Sequence, residues 1–318
     1  MHTVRMNRSA LALAENPEPM AILSAEERLQ RATAYSTTLG QMEKQIEKEL
    51  QLLQIEVQQG IVDATGGTAS AIRNALTARQ NVIAPLAAEY GSVQVANLAP
   101  GVGGMAPVGG EVSEIYVSAG QVAAGEKQDL EGILVHEVRH TDQVELKTGN
   151  AAALIVDGKE VTDDTVLLEG DTETHVIDVT GYDRGDRPAA VYGEGKDIAE
   201  SIQANHKALW NTVLTETGNV EDLQNAVWID GIEQGKLSTD DLAKQADQTG
   251  YMFNDTFIAA QNDLWAFAIE SGRIDAQEVQ EVAQQLGIEL SSEVNLAIAK
   301  VAAETREKYM EGPKVLAV

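Results

Sequence analysis

Residues 24–59, "SAEERLQRATAYSTTLGQMEKQIEKELQLLQIEVQQ", alternate apolar and polar positions at helical spacing. Ser24 and Glu27 form a capping box at the start. The Lys/Glu spacing of this helix sets a solvated face against an apolar one. A second helix is predicted over 69–89. The rhythm then changes. "YGSVQVANLAPGVGGMAPVGGEVSEIYVSAG" is rich in Gly, Pro and Val and reads as two or three short strands joined by tight turns. In the last of them, "EIYVS" (114–118), Ile115 and Val117 share one face. Helical spacing returns from about Glu126 to Lys147, ended by Gly149-Asn150. "AALIVDGKEV" (152–161) predicts a hairpin turning at Asp157-Gly158. Another helix opens near Thr162 or Asp163 and closes at Gly181. A glycine- and charge-rich loop follows to 196, and everything after about 197 is helical in pattern.

The last segment repeats itself. "QNAVWIDGIEQGKLSTDDLAKQADQTG" (224–250) aligns without gaps on "QNDLWAFAIESGRIDAQEVQEVAQQLG" (261–287). Gln224/Gln261, Asn225/Asn262, Trp228/Trp265, Gly235/Gly272 and Gly250/Gly287 are among the identical pairs. Each copy reads as a helical hairpin: a glycine ends the first helix, and Ser238 or Asp275 caps the second. Asp241 or Glu278 stands three residues beyond the cap. The tryptophans are expected to pack into the neighbouring hairpin.

Composition narrows the class. A chain of 318 residues with 43% apolar and 23% charged residues can bury a full core. Aromatics are only 4%, so that core must lean on Ala, Val, Leu and Ile. The net charge of −27 argues against nucleic-acid partners and against anionic membranes. No stretch approaches the roughly 20 apolar residues of a membrane span. The opening residues contain only "ALALA" as an apolar run, too short for a signal peptide. The expectation is a cytoplasmic protein. With no cysteine, thiolate chemistry is excluded, and any zinc must be held by His and carboxylate.

Against that background, "LVHEVRHTDQ" (134–143) stands out, because the chain has only five histidines. On a helix, His136 and His140 lie on one face and can aim both imidazoles at one ion. Glu137 is about 100° around, beside the ion rather than on it, where a general base for an activated water belongs. Leu130, Ile133 and Leu134 precede the motif at helical spacing, while Arg139 and Asp142 fall on the polar side.

A catalytic zinc needs a third protein ligand and an open fourth position. "LLEGDTETHV" (167–176) resembles the E-x-x-A-D element of Glu-type zincins, and with the H-E-x-x-H turn the region resembles a gluzincin-type metallopeptidase. It is similar above all to bacterial and phage metallopeptidase-like domains carrying H-E-x-R-H and a short Gln-containing tail. The resemblance implies Zn2+ held by His136, His140 and Glu169, with Glu137 as catalytic base. Thr172 takes the small-residue position and Glu173 that of the family's Asp, accepting the outer N–H of a liganding histidine. Glu173 is also the alternative third ligand. The resemblance further implies that "EIYVS" is an edge strand that pairs with an extended substrate.

The predicted fold is α+β, with a loose tail (1–20), an N-terminal helical region (21–92) and a zincin-like domain with a small sheet (93–196). A helical domain carrying the repeat completes the chain (197–318). His206, Tyr182, Arg184 and Tyr192 are candidate transition-state stabilisers, unranked. His175 turns away from the Glu169 stripe and reads as a surface or outer histidine, and His2 lies in the tail. The expected partner is a peptide or protein substrate, with the helical domain available for a partner protein. The alternative is a non-enzymatic structural or interaction protein with a vestigial or structural metal site.

Overall fold

The computed structural model describes residues 22–63, 67–183 and 190–310; the tail to 21 and Arg184 lie outside them. The chain is α+β and mostly helical. It divides into two compact units, Met1–Val138 and Arg139–Val318, with the cut inside one continuous helix. Among the described residues, no helix is long and apolar enough to cross a membrane.

In the first unit, α1 (Ala25–Ala34) and α2 (Leu39–Gln58) replace the single helix expected over 24–59. The Ser24–Glu27 capping box is present. The break comes from the hydroxyl run Ser36-Thr37-Thr38. Ser36 Oγ donates back to the Ala32 carbonyl at 2.8 Å, and Thr38 becomes the cap of α2, accepting from Gln41 N. The freed backbone is used elsewhere: Thr37 O accepts from Val95 N, and Leu39 N donates to Val93 O. Arg28, fully buried, holds α1 to α2 through Glu49 and Glu56, and Arg31 Nε donates to Glu49 at 2.8 Å. The third helix, α3 (Thr68–Tyr90), packs on α2.

Three short strands follow: β1 (Gln94–Ala96), β2 (Gly104–Met105) and β3 (Tyr116–Ser118), in the order β1-β3-β2. β1 runs parallel and β2 antiparallel to β3. The alternation predicted from "EIYVS" is present, with Ile115 and Val117 buried and Tyr116 exposed. Its placement is not as expected: β3 is the central strand, with both edges already paired, so it cannot receive a substrate strand. The outer strand on the antiparallel side is β2, drawn from the glycine-rich loop. After α4 (Ala119–Ala124) comes the motif helix α5 (Lys127–Asp142), which ends five residues earlier than its periodicity predicts. Leu130, Ile133 and Leu134 anchor it in the core with Met42, Ile46 and Ile83.

The second unit contains the predicted hairpin, β4 (Leu154–Val156) and β5 (Lys159–Val161). Its turn residues Asp157 and Gly158 both have positive φ, 48° and 76°. Helix α6 (Asp164–Thr180) starts at the Asp163 cap and ends at left-handed Gly181. Helix α7 (Ala190–Thr212) begins inside the segment expected to be loop, breaks from helical geometry at His206, and closes in a π-turn, Val213–Thr217. α6 and α7 meet where glycine faces glycine: a Cβ on Gly170 would stand 2.2 Å from Gly195 O.

The repeat forms α8 (Val220–Glu233), α9 (Thr239–Thr249), α10 (Asp255–Glu270) and α11 (Ala276–Leu286), followed by α12 (Ser292–Met310). Gly235 and Gly272 are left-handed, as the repeat predicts, and Ser238–Asp241 is a capping box. In the second copy Asp275 instead caps Gln277 N. Trp228 is buried edge-on to Phe253 and Phe257, with its N–H on Gln245 Oε1 at 2.9 Å.

The repeated asparagines explain why the copies kept the same residue. Asn225 donates to Glu221 O and Met252 O and accepts from Asn254 N. Asn262 does the same with Ile258 O, Glu289 O and Ser291 N. Each is a bracket from a first helix to the start of the next hairpin. Replacing either by Ala strands partly buried backbone groups, so each variant is expected to lose about 1 kcal/mol or somewhat more in urea unfolding. A loss confined to one copy would show that the brackets are not equivalent.

Candidate metal centre

Helix α5 carries His136, Glu137 and His140, all buried. The rigid four-residue spacing puts the two imidazoles one turn apart. Glu169, on α6, approaches with its Oε1 3.6 Å from His140 Nε2. One ligand atom from each of His136, His140 and Glu169 lies within 4.8 Å of the others. Two ligands about 2.0–2.1 Å from a tetrahedral ion stand about 3.3 Å apart, so His140 and Glu169 are close to coordinating distance. Two imidazoles and one carboxylate are a donor set that could hold a metal ion.

Around His140 the geometry is detailed. Its Nδ1 stands 2.8 Å from Gln143 Oε1, just past the end of α5. Gln143 Nε2 donates to Leu168 O at 2.9 Å and to Asp171 Oδ2 at 2.8 Å. Asp171 also receives Arg139 through both oxygens, at 2.7 and 3.1 Å, and the indole N–H of Trp210 at 2.8 Å. Arg139, expected on the polar side, is therefore turned into the protein. Glu173 is buried one turn beyond Glu169. The outer nitrogen of His140 is taken by Gln143.

Glu137 packs against β2. A Cβ on Gly104 would come within 2.6 Å of its Cγ and Oε1, so the strand backbone and the carboxylate occupy adjoining space.

The remaining candidates are placed as follows. His206 stands 3.1 Å from Asp230 Oδ2 and lines a cavity of about 380 Å³ with Ser201, Asn205 and Gln245, away from the residues that gather around His140. Tyr182 follows the α6 cap, its backbone N–H on Thr180 Oγ1. Tyr192 falls in the first turn of α7. Thr172 is buried and donates to Glu169 O at 2.8 Å, while the close helix approach belongs to Gly170.

His175 is half-buried, and burial lowers its pKa, with the positive charge of Arg139 acting in the same direction. A lowered folded pKa means the unfolded chain takes up the proton more readily. The protein should therefore lose stability as pH falls through the ordinary histidine range near about 6.5, and be flat above it. Urea unfolding at two pH values bracketing that range should show a smaller acid-side loss in His175→Gln than in wild type. Equal losses would place the titration elsewhere.

Two residues of this centre, Asp171 and Trp210, gave no signal in the chain; Arg139 and Gln143 entered only as letters of the H-E-x-R-H turn and its Gln-containing tail, without their partners. The sequence matches no protein-family model, and no curated protein or solved structure resembles it significantly.

Proposed function

We propose that the chain is a zinc-dependent peptidase of gluzincin type. The observation that carries this reading is the His136–His140–Glu169 group, its ligand atoms mutually close and its two histidines buried, with a carboxylate, Glu137, one residue from a ligand but not part of the group. When bound, zinc would supply Lewis-acid polarisation of a water and of a peptide carbonyl. Glu137 then acts as the base: its carboxylate takes the proton of the attacking water and delivers it to the leaving amine nitrogen. A backbone edge also supports the reading. β2 pairs with β3 on one side and with no other strand among the described residues on the other, and its Gly104 abuts Glu137. An extended peptide adding to β2 would lie beside the proposed base.

The test is elemental analysis joined to proteolysis of an unfolded protein substrate, with chelator and with zinc restored. One zinc per chain and cleavage that stops and returns with the metal are expected. A pure protein without stoichiometric zinc, or one whose cleavage ignores the chelator, overturns the proposal.

Gly104→Ala separates the strand's role from the fold's. The atoms a new Cβ would meet are Cγ, Cδ and Oε1 of Glu137, all side chain and no backbone, so relief comes from turning that side chain rather than from moving the strand. A base displaced by an ångström is expected to slow cleavage on the order of a hundredfold, with zinc content and melting temperature unchanged. Unchanged cleavage would remove β2 from the mechanism.

A further inference from the structure

We infer that Asp171, acting through the amide of Gln143, is a positioning residue that sets which ring nitrogen of His140 is presented to a metal. The inference rests on the metal part of the proposed function and not on the peptidase part.

The argument runs outward in hydrogen bonds whose directions leave no choice. An ionised carboxylate only accepts. Asp171 is almost wholly buried, and four N–H groups converge on it: Arg139 Nε and Gln143 Nε2 on Oδ2, Arg139 Nη2 and Trp210 Nε1 on Oδ1. The arginine is its charged partner, and each oxygen accepts two N–H groups, so the carboxylate is fixed in orientation. That fixes Gln143. Its nitrogen must face Asp171, and the second hydrogen of the same nitrogen goes to Leu168 O. Turning the amide over would set its oxygen against two acceptors. The oxygen is left facing His140 Nδ1 at 2.8 Å, and a carbonyl oxygen only accepts. His140 must carry its proton on Nδ1. Its lone pair is then on Nε2, the atom that stands 3.6 Å from Glu169 Oε1.

An amide relays the orientation here where a carboxylate would be the simpler partner. Asp171 contributes its charge to Arg139, while the histidine receives only a neutral acceptor. Three helices, α5, α6 and α7, meet on that one carboxylate through Arg139, Asp171 and Trp210, so the imidazole is oriented by the packing of the unit and not by its own helix alone.

The test uses the metal-free full-length chain with 15N-labelled histidine, recorded at about pH 8, where histidine is neutral. Zinc affinity is measured separately by competition with a chromophoric chelator. In wild type, His140 should show the Nδ1–H form. Gln143→Leu should move it toward the Nε2–H form that free histidine prefers, and weaken zinc about 10–100-fold. Asp171→Asn should change both readouts in the same direction. A wild-type His140 protonated on Nε2 overturns the inference without any variant, so it stays decidable even if a variant fails to fold. Gln143→Leu with wild-type tautomer and affinity also overturns it, and an unaffected Asp171→Asn removes Asp171 from the relay. Neither readout involves a substrate, so absence of proteolysis would count against the peptidase reading alone.

Discussion

Glu137→Gln should bind zinc as wild type does and cleave peptides about 10²–10⁴-fold more slowly. The amide fills the space of the carboxylate next to Gly104, so the packing of α5 on β2 is preserved. What is lost is the ability to take a proton. Because Glu137 lies outside the His136–His140–Glu169 group, removing its charge leaves the ligand set intact. His140→Ala should behave differently, losing zinc and cleavage together. The contrast between the two variants is what identifies a base, since a merely structural glutamate would give parallel losses of stability and activity. Near-wild-type turnover in Glu137→Gln would end the mechanism proposed for this residue.

The difference between what the chain spells and what it hides is physical. His136, Glu137 and His140 were legible because their relation is fixed by one helical turn, whatever the rest of the fold does. Glu169 was legible because a second helix carries a recognisable short pattern. The four-way junction at Asp171 was not, since Arg139, Gln143 and Trp210 reach it across as many as 39 residues of separation. Local pattern holds no information on such pairing. The same limit applies to "EIYVS". Its alternation correctly gave the buried face through Ile115 and Val117, but which strands flank it depends on how the two preceding strands, β1 and β2, fold back onto it, and alternation within one strand does not encode that. The split between α1 and α2 is a different failure. Hydroxyls at 36–38 compete with the helix ladder, a local signal outweighed by the strong periodicity on either side. The repeat showed that Asn225 and Asn262 are equivalent before showing what they do.

Gly170→Ala should damage stability and metal binding in one step. The residue sits between the proposed ligand Glu169 and the positioning carboxylate Asp171, on the face of α6 that touches α7. An added Cβ would lie 2.2 Å from Gly195 O and 2.5 Å from its carbonyl carbon, well inside contact distance. These are backbone atoms of a packed helix and cannot rotate away, so the helices must separate. Overpacking of this kind costs about 1–3 kcal/mol. Ala gains up to about 1 kcal/mol over Gly in a helix interior, which offsets only part of that. A net loss of about 2 kcal/mol would lower the melting temperature by roughly 4–8 °C in a unit of this size. Moving α6 also moves Glu169 away from His140 and Asp171 away from Trp210, so zinc affinity should fall with it. Gly195→Ala attacks the same crossing from α7, where its Cβ would meet Val166 O at 2.3 Å, and should match it in stability loss. Gly193→Ala is the control, because a Cβ there meets nothing within 4 Å and only the helix propensity changes. If Gly170→Ala melts like Gly193→Ala and holds zinc equally well, the glycine crossing is not what sets the ligand helix in place.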